Sequence, residues 1–203
     1  MTTADASAPL EVVGVFCGSA AGSDGAYADM AARLGRHLAE EGITLVFGGS
    51  DAGLMGAVAD AHLSSGGHVI GIYPTGTFGS DVAHRSLSEL RTVNSMHARK
   101  AAMYELCDGV IALPGGYGTL EELFEALTWT QIGLHYLPAV LLDVDGYWEL
   151  FLRFLDRAVS SGFVSPANRA LLEAVADPAE ATTALRRMAI VPASTGRPGR
   201  WSG

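Results

Sequence analysis

The segments EVVGVFCGS, residues 11–19, and ITLVFGGS, residues 43–50, with the helical stretch Asp24–Glu41 between them, decide the fold class. Val12, Val13, Val15 and Phe16 form a short apolar run that stops at Gly18-Ser19, as a buried strand does at its carboxyl end. Tyr27, Met30, Ala31, Leu34 and Leu38 then recur at helical spacing, and Gly42 stands where a helix cap belongs. The unit repeats, with a strand over Ile43–Phe47, a turn at Gly48-Gly49-Ser50, and a helix over Gly53–Ser64 carrying Leu54, Met55, Val58 and Ala61. Apolar strands alternating with helices predict a parallel sheet covered on both faces by helices, a Rossmann-like doubly wound α/β fold with right-handed crossovers.

Working outward, strands are expected at Val69–Tyr73, Leu90–Val93, Val110–Leu113 and Ala139–Val144. Helices are expected at Ser95–Cys107, Thr119–Leu134, Trp148 to Gly162, Pro166–Val175 and Pro178–Met188. Pro74–Ser88 has no periodicity and reads as a mobile loop over the carboxyl edge of the sheet, where long loops carry ligand contacts. Residues 11–191 are expected to form one domain between a flexible N-terminus, 1–10, and a tail, 192–203, too poor in apolar surface to order itself.

With 49% hydrophobic and 17% charged residues, a chain of 203 residues has ample material for a single core. The net charge of −9 argues against a nucleic acid polymer as partner, because such binding neutralises phosphates with Lys and Arg. No stretch approaches the roughly 18 apolar residues of a membrane span, so a cytoplasmic protein with no membrane partner is expected. Cys17 and Cys107 lie outside any metal-type spacing and read as two buried thiols, with no metal site.

Three predicted strand ends lead into glycine-rich loops: Gly18-Ser19, Gly48 to Gly53, and Gly115-Gly116-Tyr117-Gly118-Thr119. In an open parallel sheet ligands bind at such ends, where glycine allows close backbone approach and the next helix offers free N–H groups. Any one loop is equally well a tight turn; three on one edge point to a nucleotide or sugar phosphate. Neither G-x-G-x-x-G after the first strand nor G-x-x-x-x-G-K-[ST] is present, which disfavours a dinucleotide-dependent enzyme and an NTPase.

Arg99 falls on the apolar stripe of its helix, between Met96 and Met103, so it requires an anionic ligand, a buried carboxylate or an escape of its head to solvent. Lys100 reads as a solvated lysine or a phosphate contact. Thr119 and Glu122 have capping-box spacing, yet a carboxylate beside a ribose phosphate would also stabilise positive charge at the sugar and position water. Glu121 and Glu125 read as helix-start or solvent-facing acids.

Met96-His97-Ala98-Arg99-Lys100 together with Pro114-Gly115-Gly116-Tyr117-Gly118-Thr119-Leu120-Glu121-Glu122 resembles the LOG ("Lonely guy") family of cytokinin riboside 5'-monophosphate phosphoribohydrolases. Val15 to Ser19, Gly53-Leu54-Met55-Gly56, Leu127-Thr128-Trp129 and Asp145-Gly146-Tyr147 extend the resemblance from Val13 to about Arg187. Proteins of this family have often been labelled lysine decarboxylases, but no lysine motif here suits pyridoxal phosphate chemistry. The resemblance implies a Rossmann-like homodimer that hydrolyses the N-glycosidic bond of an N6-substituted adenosine monophosphate, and often AMP, without metal or organic cofactor. It places the catalytic pair on Arg99 and Glu122. It places the phosphate and ribose of a nucleoside 5'-monophosphate against Lys100 and the loop Gly116, Tyr117, Gly118, Thr119, Leu120 and Glu121, with Thr128 at a further binding position and Asp81 standing where the family usually has Glu; the strand-end loops add Gly18, Ser19, Gly48, Gly49 and Gly115 to the candidate substrate contacts, and Met96 is a candidate for the N6 substituent. Ser50 stands where a third glycine is common. A non-catalytic nucleotide or sugar-phosphate binding module and an AMP nucleosidase of purine salvage are the alternatives.

Overall fold

The computed structural model describes residues 9–75 and 83–189. Its elements run β1 (Val12–Phe16), α1 (Gly25–Glu40), β2 (Thr44–Phe47), α2 (Gly53–Ser64), β3 (Val69–Pro74), β4 (Glu89–Val93), α3 (Met96–Leu106), β5 (Gly109–Ala112), α4 (Tyr117–Gln131), β6 (Ala139–Leu142), α5 (Glu149–Ser160), α6 (Pro166–Arg169), β7 (Leu172–Val175) and α7 (Pro178–Met188). The seven strands form one parallel sheet in the order β4-β3-β2-β1-β5-β6-β7. The chain winds outward from β1 to β4, then returns to the other side of β1 as β5. The carboxyl ends of β1 and β5 therefore flank the switch point, where a doubly wound sheet opens a crevice.

Two apolar layers cover the sheet. One contains Leu34 and Leu38 of α1, Leu54 and Val58 of α2 and Leu185 of α7; the other contains Met103 and Tyr104 of α3, Leu123 and Ala126 of α4 and Leu155 of α5. β1 is pinned at its start by the Asp108 carboxylate, which accepts from the N–H groups of Glu11 and Val12 at 2.9 and 3.0 Å. α1 and α2 approach so closely at Gly35 that a Cβ there would lie 2.3 Å from the Val58 carbonyl oxygen. The Gly35 carbonyl is held instead by Nδ1 of the fully buried His62, at 2.9 Å.

One expected element is corrected. Pro166–Val175 is not a single helix: α6 ends at Arg169, and Leu172–Val175 is the edge strand β7, paired in parallel with β6. Without β7 the outer edge of β6 would carry unpaired backbone groups, a tertiary demand that outweighs the local helical spacing. The Arg169 guanidinium marks the break by donating to the Leu172 carbonyl at 3.0 Å. The weakly patterned Leu90–Val93 is a strand, and its exposed residues reflect the opposite edge of the sheet. Both cysteines are buried free thiols.

Burial pushes the pKa of His62 below the ordinary histidine value. Because the folded-state value is the lower one, the neutral ring is favoured by folding, and stability falls as pH drops below the unfolded value of about 6.5. The urea midpoint of wild type minus that of His62→Asn, whose amide retains a donor near Nδ1, is expected to shrink between pH 7.5 and pH 5; a constant difference would refute this.

Candidate active site

α3 begins at Ser95, whose Oγ accepts from the Ala98 N–H at 3.1 Å, and this start turns Arg99, Lys100, Met103 and Tyr104 inward. α4 begins at Gly116, which has no side chain with which to cap, so the first-turn N–H groups of Tyr117, Gly118 and Thr119 are left without intrahelical acceptors. The two helices meet at a charge pair: Arg99 Nη1 lies 3.3 Å from Glu122 Oε1, and each side chain is only 10% exposed. Of the three readings open for Arg99, the buried carboxylate is the one the structure satisfies. Its Nε is also buried and has no acceptor among the described residues.

Glu122 does not cap its helix. With Gly116 as N-cap, Thr119 is the third helical residue, and its Oγ1 packs where a Cβ on Gly115 would lie, 2.1 Å away. The carboxylate of Glu122 instead points to α3. Burial raises its pKa above the usual carboxylate range; Arg99 opposes the shift, Glu121 adds to it, Lys100 opposes it and Glu125 adds to it. A carboxyl whose pKa is raised by burial takes up a proton more readily than a solvated one. Cys17, buried at the end of β1, has its thiol pushed up by burial and then by Glu122, with Arg99 acting in the opposite sense, so it stays a protonated thiol.

The glycines play different parts. Gly18, Gly53 and Gly115 lock the loops together: the Gly18 N–H donates to the Pro114 carbonyl at 3.1 Å, the Leu54 N–H donates to the Gly18 carbonyl at 3.0 Å, and Gly53, at φ +57°, lies against the Ser19 backbone. Gly48 makes room for the arginine, since a Cβ there would fall 1.7 Å from Arg99 Nη2. Gly116 and Gly118 face open space and flank the exposed Tyr117. Gly49, at φ +78°, accepts from the His84 N–H at 2.9 Å, and Ser50 turns its hydroxyl to the Ala52 N–H.

Lys100 is not solvated. Its side chain is 5% exposed, and Nζ lies against Glu121 Oε1 and 3.0 Å from Glu125 Oε1. Glu121 and Glu125 thus have a partner beyond the solvent reading. Met96 approaches Arg99 Nη1 through its sulfur at 3.9 Å, Leu120 packs against the core, and Thr128 and Ser19 are exposed. Asp81 lies outside the described residues.

Two tyrosines that are not among the expected site residues also hold the site. Tyr147 Oη donates to the Gly115 carbonyl at 2.6 Å. It is delivered by a turn in which Asp145 has φ 51° and Asp143 accepts from the N–H groups of Gly146 and Trp148. Tyr104 Oη lies 3.0 Å from the Glu122 carbonyl and 3.1 Å from Glu125 Oε2. The available signal for Tyr147 is its place just after Asp-Gly at the carboxyl end of β6, beside the glycine loop of β5.

A family model described as "possible lysine decarboxylase" matches residues 55–185. LOGL9 of Oryza sativa subsp. japonica, a probable cytokinin riboside 5'-monophosphate phosphoribohydrolase, is 48% identical over 163 residues, covering 80% of this chain and 72% of that protein. The chain belongs to the LOG family. Other LOG proteins similar to it include the cytokinin riboside 5'-monophosphate phosphoribohydrolases LOG of the same rice, 46% identical over 78% of this chain, and LOG3 of Arabidopsis thaliana, 45% identical over 78%. The chain spans 65% of the length of rice LOG and 65% of rice LOGL5. Among solved structures, the Moco carrier protein from Chlamydomonas reinhardtii is similar in fold, with a TM-score of 0.65 at 23% identity over 89% of this chain and 98% of that one. The molybdenum cofactor binding protein from Rippkaea orientalis superimposes with a TM-score of 0.67 at 22% identity, over 89% of this chain and 98% of that one.

Gly48→Ala is expected to fold, because the atom it strikes is the end of a flexible side chain, but to drive the guanidinium away from Glu122. A crystal structure of this variant with the Arg99–Glu122 contact still within 4 Å would show that Gly48 has no such role. Tyr147→Phe should lower stability by about 1 kcal/mol, the net worth of one hydrogen bond, measured as a shift in urea midpoint.

Proposed function

We propose that the protein hydrolyses the N-glycosidic bond of cytokinin riboside 5'-monophosphates, N6-substituted AMP, and of AMP itself, releasing the free base and ribose 5-phosphate. The observation that carries this reading is the buried Arg99–Glu122 pair at 3.3 Å, set beside the open amino end of α4 in a chain 45–48% identical to relatives named for this activity. The phosphate binds the free N–H groups of Gly116, Tyr117, Gly118 and Thr119, where the helix dipole favours an anion. Gly18-Ser19, Gly48-Gly49, Met96, Glu121 and Thr128 line the remainder of the substrate position.

The C1'–N9 bond breaks with its electron pair moving to the base, which takes a proton from solvent as it leaves, and the proton that Glu122 then accepts from the attacking water is returned to solvent. The ribosyl centre becomes oxocarbenium-like, Glu122 stabilises that charge, and water adds at C1' as Glu122 accepts its proton. Arg99 orients substrate through the guanidinium N–H groups that Glu122 does not occupy. No metal or organic cofactor enters this scheme.

The proposal includes a homodimer in the cytoplasm. Leu150 and Phe154, four apart on α5, are 73% and 62% exposed, and Phe124 on the adjoining α4 is 40% exposed, an apolar face suited to a second copy. Sedimentation should give a dimer, and Phe154→Glu should shift it toward monomer.

Incubation with AMP and with isopentenyladenosine 5'-monophosphate, followed by separation of bases from nucleotides, tests the activity. Glu122→Gln is expected to lower turnover by about 10²–10⁴-fold, the worth of a positioned base, with unfolding behaviour retained. A folded Glu122→Gln protein with near wild-type turnover would remove the carboxylate from the mechanism, and absence of both products from the wild type would leave a nucleotide-binding module.

A further inference from the structure

His84 precedes β4 and has no part in the scheme above, yet it is buried with both ring nitrogens engaged. Nδ1 accepts from the Ser86 N–H at 3.2 Å, so the ring proton is on Nε2, which donates to Asp60 Oδ1 of α2 at 3.0 Å. The His84 N–H donates to the Gly49 carbonyl at 2.9 Å, and the neighbouring Ala83 pairs antiparallel with Ser50. One residue therefore grips the β2–α2 connection from two sides, its backbone on the turn and its ring on the helix that follows.

We infer that His84 is a positioning residue for the Arg99–Glu122 pair, acting through the Gly48-Gly49 turn with Asp60 as its anchor. The inference rests on the reading of that pair as catalytic. Gly48 forms the wall against which the guanidinium lies: a Cβ there would fall 1.7 Å from Arg99 Nη2 and 3.2 Å from Met55 Sδ. A small shift of the turn is therefore passed to Arg99, and with it to the 3.3 Å contact with Glu122. Gly49, at φ +78°, has the wide backbone freedom of glycine, so the turn takes its place from bonds made to it from outside. The His84 N–H and the Ala83–Ser50 pairing supply them.

The contact does more than bury a segment. Residues 83–88 are fastened independently at their far end, where Ser88 Oγ accepts from the Val69 N–H at 3.1 Å and Leu87 fills the space beside Gly71, its Cδ1 lying 2.4 Å from where a Cβ would stand. An apolar side chain at position 84 would cover the sheet as well. A histidine adds direction, because a buried ring must find a partner for each nitrogen. Asp60 is 72% exposed, so its carboxylate adds little to burial or to stability and acts as a fixed handle on α2.

His84→Ala, His84→Gln and Asp60→Ala test this through kinetics on AMP and through crystal structures of the variants. His84→Ala is expected to lower kcat about tenfold or more with KM changed less than about threefold, and to part Arg99 from Glu122 beyond 4 Å. His84→Gln, whose amide nitrogen stands near the place of Nε2 and donates to Asp60, should recover most of that loss. A smaller fall in kcat, with only the urea midpoint lowered, would make His84 a purely structural residue and overturn the proposal. So would a change confined to KM, or a loss that His84→Gln does not relieve. The structures do not depend on turnover: if the wild type does not hydrolyse AMP, the functional reading fails, while a parted Arg99–Glu122 contact in His84→Ala still upholds the positioning role and an intact one refutes it. Should His84→Ala not fold, Asp60→Ala, at an exposed position, decides by the same two readouts, with a fall in kcat of about threefold or more expected and a smaller one refuting.

Discussion

A carboxylate and a guanidinium withdrawn together from water are the constraint on which the rest of the structure turns. Each side chain of the Arg99–Glu122 pair is only 10% exposed, and removing two ions from water costs several kcal/mol apiece before their attraction is counted. Such a pair is weak evidence of stabilisation, because well-packed apolar residues often serve a fold equally well. Its presence where α3 meets the open end of α4 fits the catalytic role proposed for it. A glycine at position 48 gives the guanidinium room, and Lys100 with Glu121 and Glu125 forms further ion pairs between the same two helices.

The sheet delivers these groups through its winding. β1 and β5 are neighbours although nearly a hundred residues apart, so the loops after them touch directly, at Gly18 and Pro114. The loop after β2 joins through Gly53 and Leu54, and the turn after β6 reaches back with the Tyr147 hydroxyl. Four strand ends thus form one interlocked rim. Rigidity of this kind favours a site in which a charge pair must hold its geometry while a substrate is exchanged.

Two glycine roles that look alike in sequence are opposite in space. Gly115 is filled by the Thr119 hydroxyl and the Gly18 backbone, whereas its neighbour Gly116 faces open space. The same ambiguity applies to Thr119 and Glu122, whose spacing fits a capping box but whose helix starts earlier, at Tyr117, and so releases the carboxylate for Arg99. Lys100 and Glu125 were illegible for a related reason. Their significance comes from facing each other across two helices, and no spacing within either helix encodes that.

The sequence by itself determined the class of fold, since apolar strands and amphipathic helices are local patterns set by burial on one or both faces. It also marked Arg99 as a cation on an apolar stripe that needed an anion or a path to solvent, and the motifs around it as those of the LOG family. Tertiary structure decided the rest. It made Leu172–Val175 a strand, because the edge of β6 required a partner, and it chose Glu122 as that anion over solvent or cap. Long-range electrostatics and sheet-edge hydrogen bonding depend on which residues meet, and that is settled only when the chain has closed.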